Sequence, residues 1–384
     1  MHTQSTFFPV AVVGGGLGGL VSAILLKRAG FGVILFEKYQ YPFHRVCGEY
    51  ISNEVQLILE DVLETSLKNL GVSSIQTLQV TESKGNILKH PLDLGGFGIS
   101  RFALDHLLYQ KALEAGVVIR TQTEVESIEK IGEEAHWIYT KQGEVFQSKL
   151  VIGAFGKRSK LDQSLHRKHL KERSGYMGVK YHIRHDFPKD VIALHNFPGG
   201  YCGMSAIEKD VYCLCYLIDR EVVRSAGGID QVEKKYLAQN PYLADIFQKA
   251  EFLNEKPWVI NEISFAPKKV IEDGILMVGD SAGLITPLCG NGMSMAIRAA
   301  VWISIWGKTF LEGSISRQHL EEGYARSWRR EFSGRLWVGR QIQGFFGKKW
   351  LTYLGLKALQ PFPKWRSKLI RATHGEPISL TEFA

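Results

Sequence analysis

Five glycines crowd into six positions near the N-terminus, Gly14-Gly15-Gly16-Leu17-Gly18-Gly19. Gly14, Gly16 and Gly19 have the spacing of a diphosphate-binding turn. One makes a tight bend, one lets the backbone approach the phosphates, and one lets helix and strand pack closely. Leu17 and Gly18 complete the loop, and the helix expected after it presents free N–H groups and a positive dipole end. Glu37 stands twenty-three residues after Gly14, where a carboxylate can accept from a ribose hydroxyl. That acid would repel a 2′-phosphate, which leaves FAD or NAD as the expected dinucleotide.

A second pattern separates the two. Ile275-Leu276-Met277-Val278 runs into Gly279-Asp280, then to Pro287 and the loop Gly290-Asn291-Gly292-Met293. This reads as a buried strand, a turn and a helix start. Asp280 can hold ribityl hydroxyls. The N–H groups of residues 290–292 can stabilise negative charge on the N1–C2=O edge of a flavin. A plain nicotinamide dehydrogenase has no use for such a loop, so the expected cofactor is FAD.

The surrounding sequence supplies elements to position these groups. Residues 7–13 read as a buried strand, Leu20–Ala29 as a helix and Val33–Phe36 as a second strand, which together make a βαβ unit. A helix is expected over Ser52–Leu70, strands over 72–98 with a loop at 95–98, and a helix capped by Ser100. Residues 124–151 alternate as a meander, 176–220 as an antiparallel sheet, and 229–250 return to helix. A long helical tail is expected from about Gly292.

These features resemble the p-hydroxybenzoate-hydroxylase-like flavoproteins, a group that includes aromatic hydroxylases, flavin-dependent halogenases and geranylgeranyl reductases. The likeness rests on the GxGxxG turn, Glu37, Arg101 within Ser-Arg-x-x-Leu-Asp-x-x-Leu, and the Gly-Asp…Pro segment at 279–287, and spans roughly residues 8–330. Pro42-Phe43-His44-Arg45-Val46-Cys47-Gly48 is most similar to the geranylgeranyl reductase and polyketide-tailoring monooxygenase branches, where a Cys-Gly pair follows the first βαβ unit near the flavin. The resemblance implies an α/β, Rossmann-like FAD-binding fold with an inserted antiparallel substrate sheet and a C-terminal helical region. It places Arg101 against the flavin, and implies further cofactor contacts at Lys38, Arg45, Cys47, Gly48, Val125 and Gly156.

The implied organisation is FAD-binding segments at 1–75, 100–165 and 271–325, substrate-domain strands at 76–99, a substrate sheet at 166–270, and a basic aromatic region at 326–384. The implied activity is hydroxylation of a hydrophobic aromatic or a polyketide- or lipid-derived substrate. Reduction of isoprenoid double bonds is the second reading, and a non-catalytic electron-transfer subunit the third. The Trp-x-Trp-x-Ile-Pro segment of halogenases is absent, which counts against halogenation. Phe155 replaces the acid of the Ala-Asp-Gly segment found in many hydroxylases, which counts against efficient NADPH use. With no second glycine loop, NADPH or NADH would visit only transiently. Catalytic residues other than the flavin are not legible; His44 and His195 read as structural, and Cys47 as a small residue packed beside the flavin.

Composition narrows the classes. Five cysteines without a CxxC pair fit a reducing compartment and no zinc site or other metal. The seventeen-residue uncharged run Val10–Leu26 is glycine-rich and shorter than the ~20 apolar residues of a membrane span. No signal peptide is expected, and the expected location is cytoplasmic. Net charge is +8, yet residues 326–371 carry twelve Lys or Arg against Glu331 alone. Aromatic residues interleave with those cations. The tail therefore reads either as a cover over a hydrophobic tunnel with its basic face solvated or as a peripheral membrane contact; nucleic acid is not expected. A mere cover would bury Trp337, Trp350 and Trp365.

Overall fold

The computed structural model describes residues 5–132, 135–157, 159–167, 175–284, 290–344 and 346–378. Pro287, Cys289 and Phe345 lie outside the described residues.

In chain order the elements begin with β1 (Thr6–Val13), α1 (Leu17–Arg28), β2 (Val33–Phe36), β3 (Tyr50–Ser52), α2 (Gln56–Leu63), β4 (Ser73–Thr81), β5 (Ile87–Gly98) and α3 (Arg101–Glu114). They continue with β6 (Val118–Arg120), β7 (Val125–Ile131), β8 (Ala135–Thr140), β9 (Val145–Gly153) and α4 (Lys160–Ser164). Next come β10 (Tyr176–Arg184), β11 (Val191–Phe197), β12 (Gly200–Ala206), β13 (Tyr212–Asp219), α5 (Arg220–Ala226), α6 (Ile229–Lys235) and α7 (Pro241–Lys249). The chain closes with β14 (Glu251–Phe252), β15 (Trp258–Ile263), β16 (Ile271–Glu272), β17 (Ile275–Met277), α8 (Gly292–Leu311), α9 (Arg317–Gln343), α10 (Lys349–Leu359) and α11 (Pro363–Arg371).

Two sheets organise the molecule. In the first, β17, β9, β1, β2 and β6 lie side by side and parallel, with β16 antiparallel at one edge and the β7–β8 hairpin joined through β9. Register brings Val13 opposite both Phe36 and Gly153, and Gly153 opposite Met277. The loops after these strands, starting at Gly14, Glu37, Ala154 and Val278, therefore leave one edge of the sheet together. A parallel sheet places ligands at this edge. All four residues of β2 are buried, as a strand covered on both faces requires. Helices α1 and α8 pack on each other against this sheet, burying Leu20, Ile24, Ile297 and Val301 completely or nearly so.

The second sheet runs β14-β10-β13-β12-β11-β4-β5-β3, with β15 also on β10, and is antiparallel except where β11 meets β4. Three expectations need correction here. Residues 95–98 are not a loop but the end of β5, where Gly96 lies against the Tyr50 ring and the Ile51 carbonyl and leaves no room for a side chain. The helix over 52–70 is cut to eight residues by Glu64 in a left-handed conformation, and Tyr50–Ser52 is a strand of the second sheet. The helix over 229–250 breaks at Asn240-Pro241, because proline cannot donate into a preceding turn and Asn240 instead caps the next helix.

The second sheet buries a titratable group with a readable stability cost. His195 is fully buried and shares a 2.9 Å hydrogen bond between Nδ1 and Thr81 Oγ1. Burial pushes its pKa down to about 3. Below its ordinary value near 6.5 the unfolded chain takes a proton that the folded chain refuses, so stability falls between about pH 6.5 and pH 3, by up to ~1.4 kcal/mol per pH unit. Melting temperature should decline across this window, and decline less steeply in His195→Gln. Parallel slopes for the two proteins would contradict the assignment.

The tail differs from the expectation of a mere cover with a solvated basic face. Arg335, counted with the solvated cations, is buried and paired with Glu54 at 2.9 Å and Glu331 at 2.6 Å. Trp337, Trp350 and Trp365 are 59, 69 and 64% exposed, so the helices do not act as a cover alone. Among the described residues no helix is long and apolar enough to cross a membrane.

Candidate active site

The glycines of the first loop are glycines for different reasons. Gly14 has φ +107°, and a Cβ there would sit 2.3 Å from the Ala154 carbonyl oxygen. A Cβ on Gly19 would sit 2.1 Å from the Gly14 oxygen, and one on Gly18 2.8 Å from Val278. Gly16 is unlike them. Its φ is −82°, and its Cβ would meet only the Arg101 guanidinium, at 3.8 Å. Nothing in the protein excludes a side chain at Gly16, so the space it leaves is the room a diphosphate needs. Helix α1 starts there with no side-chain cap and no acid in its first turn, so its dipole and N–H groups are uncompensated. Leu17, its first residue, turns into the core.

Alternating charges brace this loop. Glu37 is 4% exposed and accepts from Gly15 N at 2.9 Å, Tyr39 N at 3.0 Å and Arg45 at 3.1 Å. Arg45 also binds Asp105 at 3.0 Å. Asp105 in turn takes two 2.7 Å bonds from Arg101. Burial alone would lower the Arg101 pKa, but Asp105 outweighs it and raises it. The Arg101 guanidinium is thus held charged beside the glycine turn. Lys38 is exposed over the Tyr39 ring, and Val125 is buried at the start of β7. Neither side chain faces the turn through any contact among the described residues.

The second loop leaves a carboxylate open. Gly279 has φ +63°, and the Gly279–Asp280 turn is pinned through the Asp280 carbonyl, which accepts from Lys268 at 2.8 Å. Burial pulls the Lys268 pKa down to about 8. Gly156, at φ +87°, donates to Ser281 Oγ at 2.8 Å, and Arg167 donates to the Ser281 carbonyl at 2.9 Å. The Asp280 carboxylate is half-buried with no hydrogen-bond partner among the described residues. It lies near enough to Arg101 to raise that group's pKa, which puts both loops at one site.

Helix α8 closes the site. Its N-cap, Asn291, makes no side-chain cap bond, and its first turn holds no acid. Gly290, at φ +66°, abuts the Tyr50 ring, and Met293 is buried. Buried Ser294 Oγ has no partner among the described residues.

Beyond Gly290 and Tyr50 opens a cavity of about 540 Å³. Leu78, Val80, Leu88 and Leu194 from the second sheet line one wall, and Ile342, Leu356 and Ile370 from the tail helices line the other. The site therefore joins a dinucleotide cradle to an apolar chamber.

That cradle is matched by an FAD binding domain family model over residues 8–322. The chain belongs to that family. Among curated relatives, the tryptophan 2-halogenase of Chondromyces crocatus is 23% identical over 84% of this chain and 65% of its own. The chain thus spans just under two thirds of that enzyme's length. Digeranylgeranylglycerophospholipid reductase 1 of Methanococcoides burtonii is 24% identical over 86% of this chain and 81% of its own. A flavoprotein/dehydrogenase from Cytophaga hutchinsonii has the same fold, with TM-score 0.80, 17% identity, and coverage of 96% of this chain and 92% of its own. The protein is an FAD-dependent oxidoreductase.

Several groups of this flavoprotein's site carried no sequence signal. Glu49, just after Cys47-Gly48, is fully buried, binding Lys180 at 2.5 Å, His182 at 2.7 Å and Arg101 N at 2.8 Å. Burial would raise its pKa, but Lys180 and His182 overcome this and hold it at about 2. A buried lysine inside a strand defies the alternation from which strands are read, so Lys180 was invisible. Glu49, His182 and Cys213 bring one ligand atom each within 4.8 Å of one another, but the Lys180 ammonium already occupies that neighbourhood with positive charge. Cys47 is half-buried, and its carbonyl accepts from the Cys213 thiol at 3.2 Å, while that of Gly48 accepts from Ser205 at 3.1 Å. The Cys-Gly pair thereby ties the first loop region to the second sheet.

Asp280→Ala should weaken FAD retention roughly 10- to 100-fold, because a charge-assisted bond to a hydroxyl is worth ~1.5–3 kcal/mol. Flavin fluorescence on dilution measures this. An unchanged dissociation constant in the folded variant would make Asp280 a plain turn residue.

Proposed function

We propose that this flavoprotein is a monooxygenase that hydroxylates a hydrophobic aromatic or lipid-derived substrate held in the cavity beyond Gly290. The cavity carries this reading. Its walls are mostly apolar, so they favour an apolar occupant by ~25 cal/mol for each Å² buried. The FAD site fits as built: Gly14–Gly19 and α1 would hold the diphosphate, Asp280 the ribityl chain, and residues 290–292 the charged flavin edge. Glu37, with both oxygens engaged, would fix the loop and offer its remaining acceptor capacity to a ribose.

FAD held there would supply the two-electron redox chemistry between NADPH or NADH and either O₂ or a double bond. The protein's own residues orient and exclude water. Arg101, locked by Asp105, presents a fixed positive charge at the loop. Tyr50 and Gly290 form the wall between cradle and cavity. His90 and His374 line the cavity, and burial lowers both pKa values. Both imidazoles are thus neutral near pH 7, the state that can accept a proton from a phenol hydroxyl.

Reduction of an isoprenoid double bond is the second reading, favoured by the aliphatic lining. The test supplies NADPH with either a long-chain alkylphenol or geranylgeraniol, in air and under argon. Hydroxylation requires O₂, consumes it with NADPH and incorporates one of its atoms into the phenol. Product formation under argon from the isoprenoid alone would overturn hydroxylation in favour of reduction.

A further inference from the structure

Helices α10 and α11 are apolar on two sides. Inward, Leu351, Leu356, Leu359 and Ile370 line the cavity. Outward, Trp350, Leu354, Phe362 and Trp365 are 69, 45, 54 and 64% exposed. A helix on the surface of a soluble protein ordinarily turns only polar and charged residues outward, whereas these helices also expose large apolar side chains. The cations point the same way. Residues 348–371 hold seven Lys or Arg and no Asp or Glu. Lys348, Lys357, Lys364, Lys368 and Arg371 are exposed, and Lys357 and Lys368 lie over the Tyr353 and Trp365 rings. The opposing acid seen among the described residues is Asp93, which pairs with Arg371 at 2.8 Å.

We propose that the outer face of α10 and α11 docks onto an anionic lipid bilayer, so that substrate passes from the membrane into the cavity beneath these helices. The second half rests on the cavity being the substrate site; the docking itself does not. Large aromatic side chains interleaved with unopposed cations match the interface of an anionic membrane, where rings reach the acyl boundary and cations meet lipid phosphates. A second copy of the chain fits poorly, since a symmetric contact through this face would set the five exposed cations of one copy against those of the other.

The experiment uses FAD-loaded full-length protein and vesicles of phosphatidylcholine alone or mixed with phosphatidylglycerol. Docking predicts co-sedimentation with the anionic vesicles and a blue shift of tryptophan emission at ~0.1 M salt, with most binding lost at ~1 M as screening shortens from ~10 to ~3 Å. Trp350→Ser/Trp365→Ser and Lys364→Gln/Lys368→Gln should each weaken anionic-vesicle binding by roughly tenfold or more, with flavin content and melting temperature unchanged. Absence of sedimentation at low salt, salt-independent binding, or a dimer in light scattering that buries these tryptophans would each overturn the proposal. Failure of the cavity reading looks different. A cavity-filling Leu356→Trp variant that still turns over a detergent-solubilised alkylphenol at the wild-type rate would refute the cavity and leave docking intact. Docking variants that lose vesicle binding but turn over the solubilised probe normally would support the proposal.

Discussion

Replacing Gly16 by valine should give a folded, colourless protein. The backbone at Gly16 is extended enough for any residue, and a Cβ there meets no protein atom closer than 3.8 Å. The fold therefore tolerates the side chain, and the diphosphate does not. With its approach blocked, FAD affinity should fall by about 100-fold or more, equivalent to ~2.7 kcal/mol. Gly14→Val is the matched control. Its side chain would drive into the Ala154 carbonyl from a φ that L-residues rarely adopt, so loss of folding should precede loss of colour. Circular dichroism and flavin absorbance on the two variants separate the effects. Full flavin occupancy in Gly16→Val would remove the diphosphate from this loop.

The second large effect is expected far from the cofactor. Glu54 is fully buried and accepts from Arg335 at 2.9 Å, with Arg298 at 3.5 Å; Arg298 and Arg335 each reach Glu331 at 2.6 Å. This cluster fastens α9, the helix leading into the cavity cover, to α8 and to the segment before α2. Removing one partner strands a buried charge, so Arg335→Ala should destabilise the protein by about 3–5 kcal/mol. Arg335→Met with Glu54→Leu removes both charges of the Arg335–Glu54 pair at similar volume and should cost much less. Denaturant midpoints for Arg335→Met, Glu54→Leu and the double variant measure the coupling. Additive losses would mean that the pair is not coupled.

Much of the first sheet was legible because parallel strands and glycine turns write strong local patterns. The run to Val13, the glycine cluster, Glu37 and the Val278–Asp280 turn all read directly. Ser100 capped its helix as its type predicts, accepting from Ala103 N at 3.1 Å. Other features depend on contacts distant in sequence. Gly95–Gly98 resembles a loop, yet it extends β5 because Tyr50 and Ala206 pack where side chains would stand. Asp105 was visible only as part of a resemblance, and its joining of Arg45 to Arg101 needed three dimensions. Lys180 and Glu49 contradict the rule that charges stay outside, and they survive burial only because each neutralises the other. The tail's composition showed cations and aromatics but not their facing; Arg335 turned inward and three tryptophans outward.

The most direct measurement is mass spectrometry of the small molecules released when purified wild-type protein and Leu356→Trp are denatured. The wild type should release one FAD per chain together with an apolar molecule from the cavity. The variant should release the same FAD and little or none of the apolar molecule, since an indole would fill the chamber without touching the cradle. Folded wild-type protein free of FAD, or the apolar molecule in equal amount from both proteins, would contradict a flavin site that opens onto this cavity.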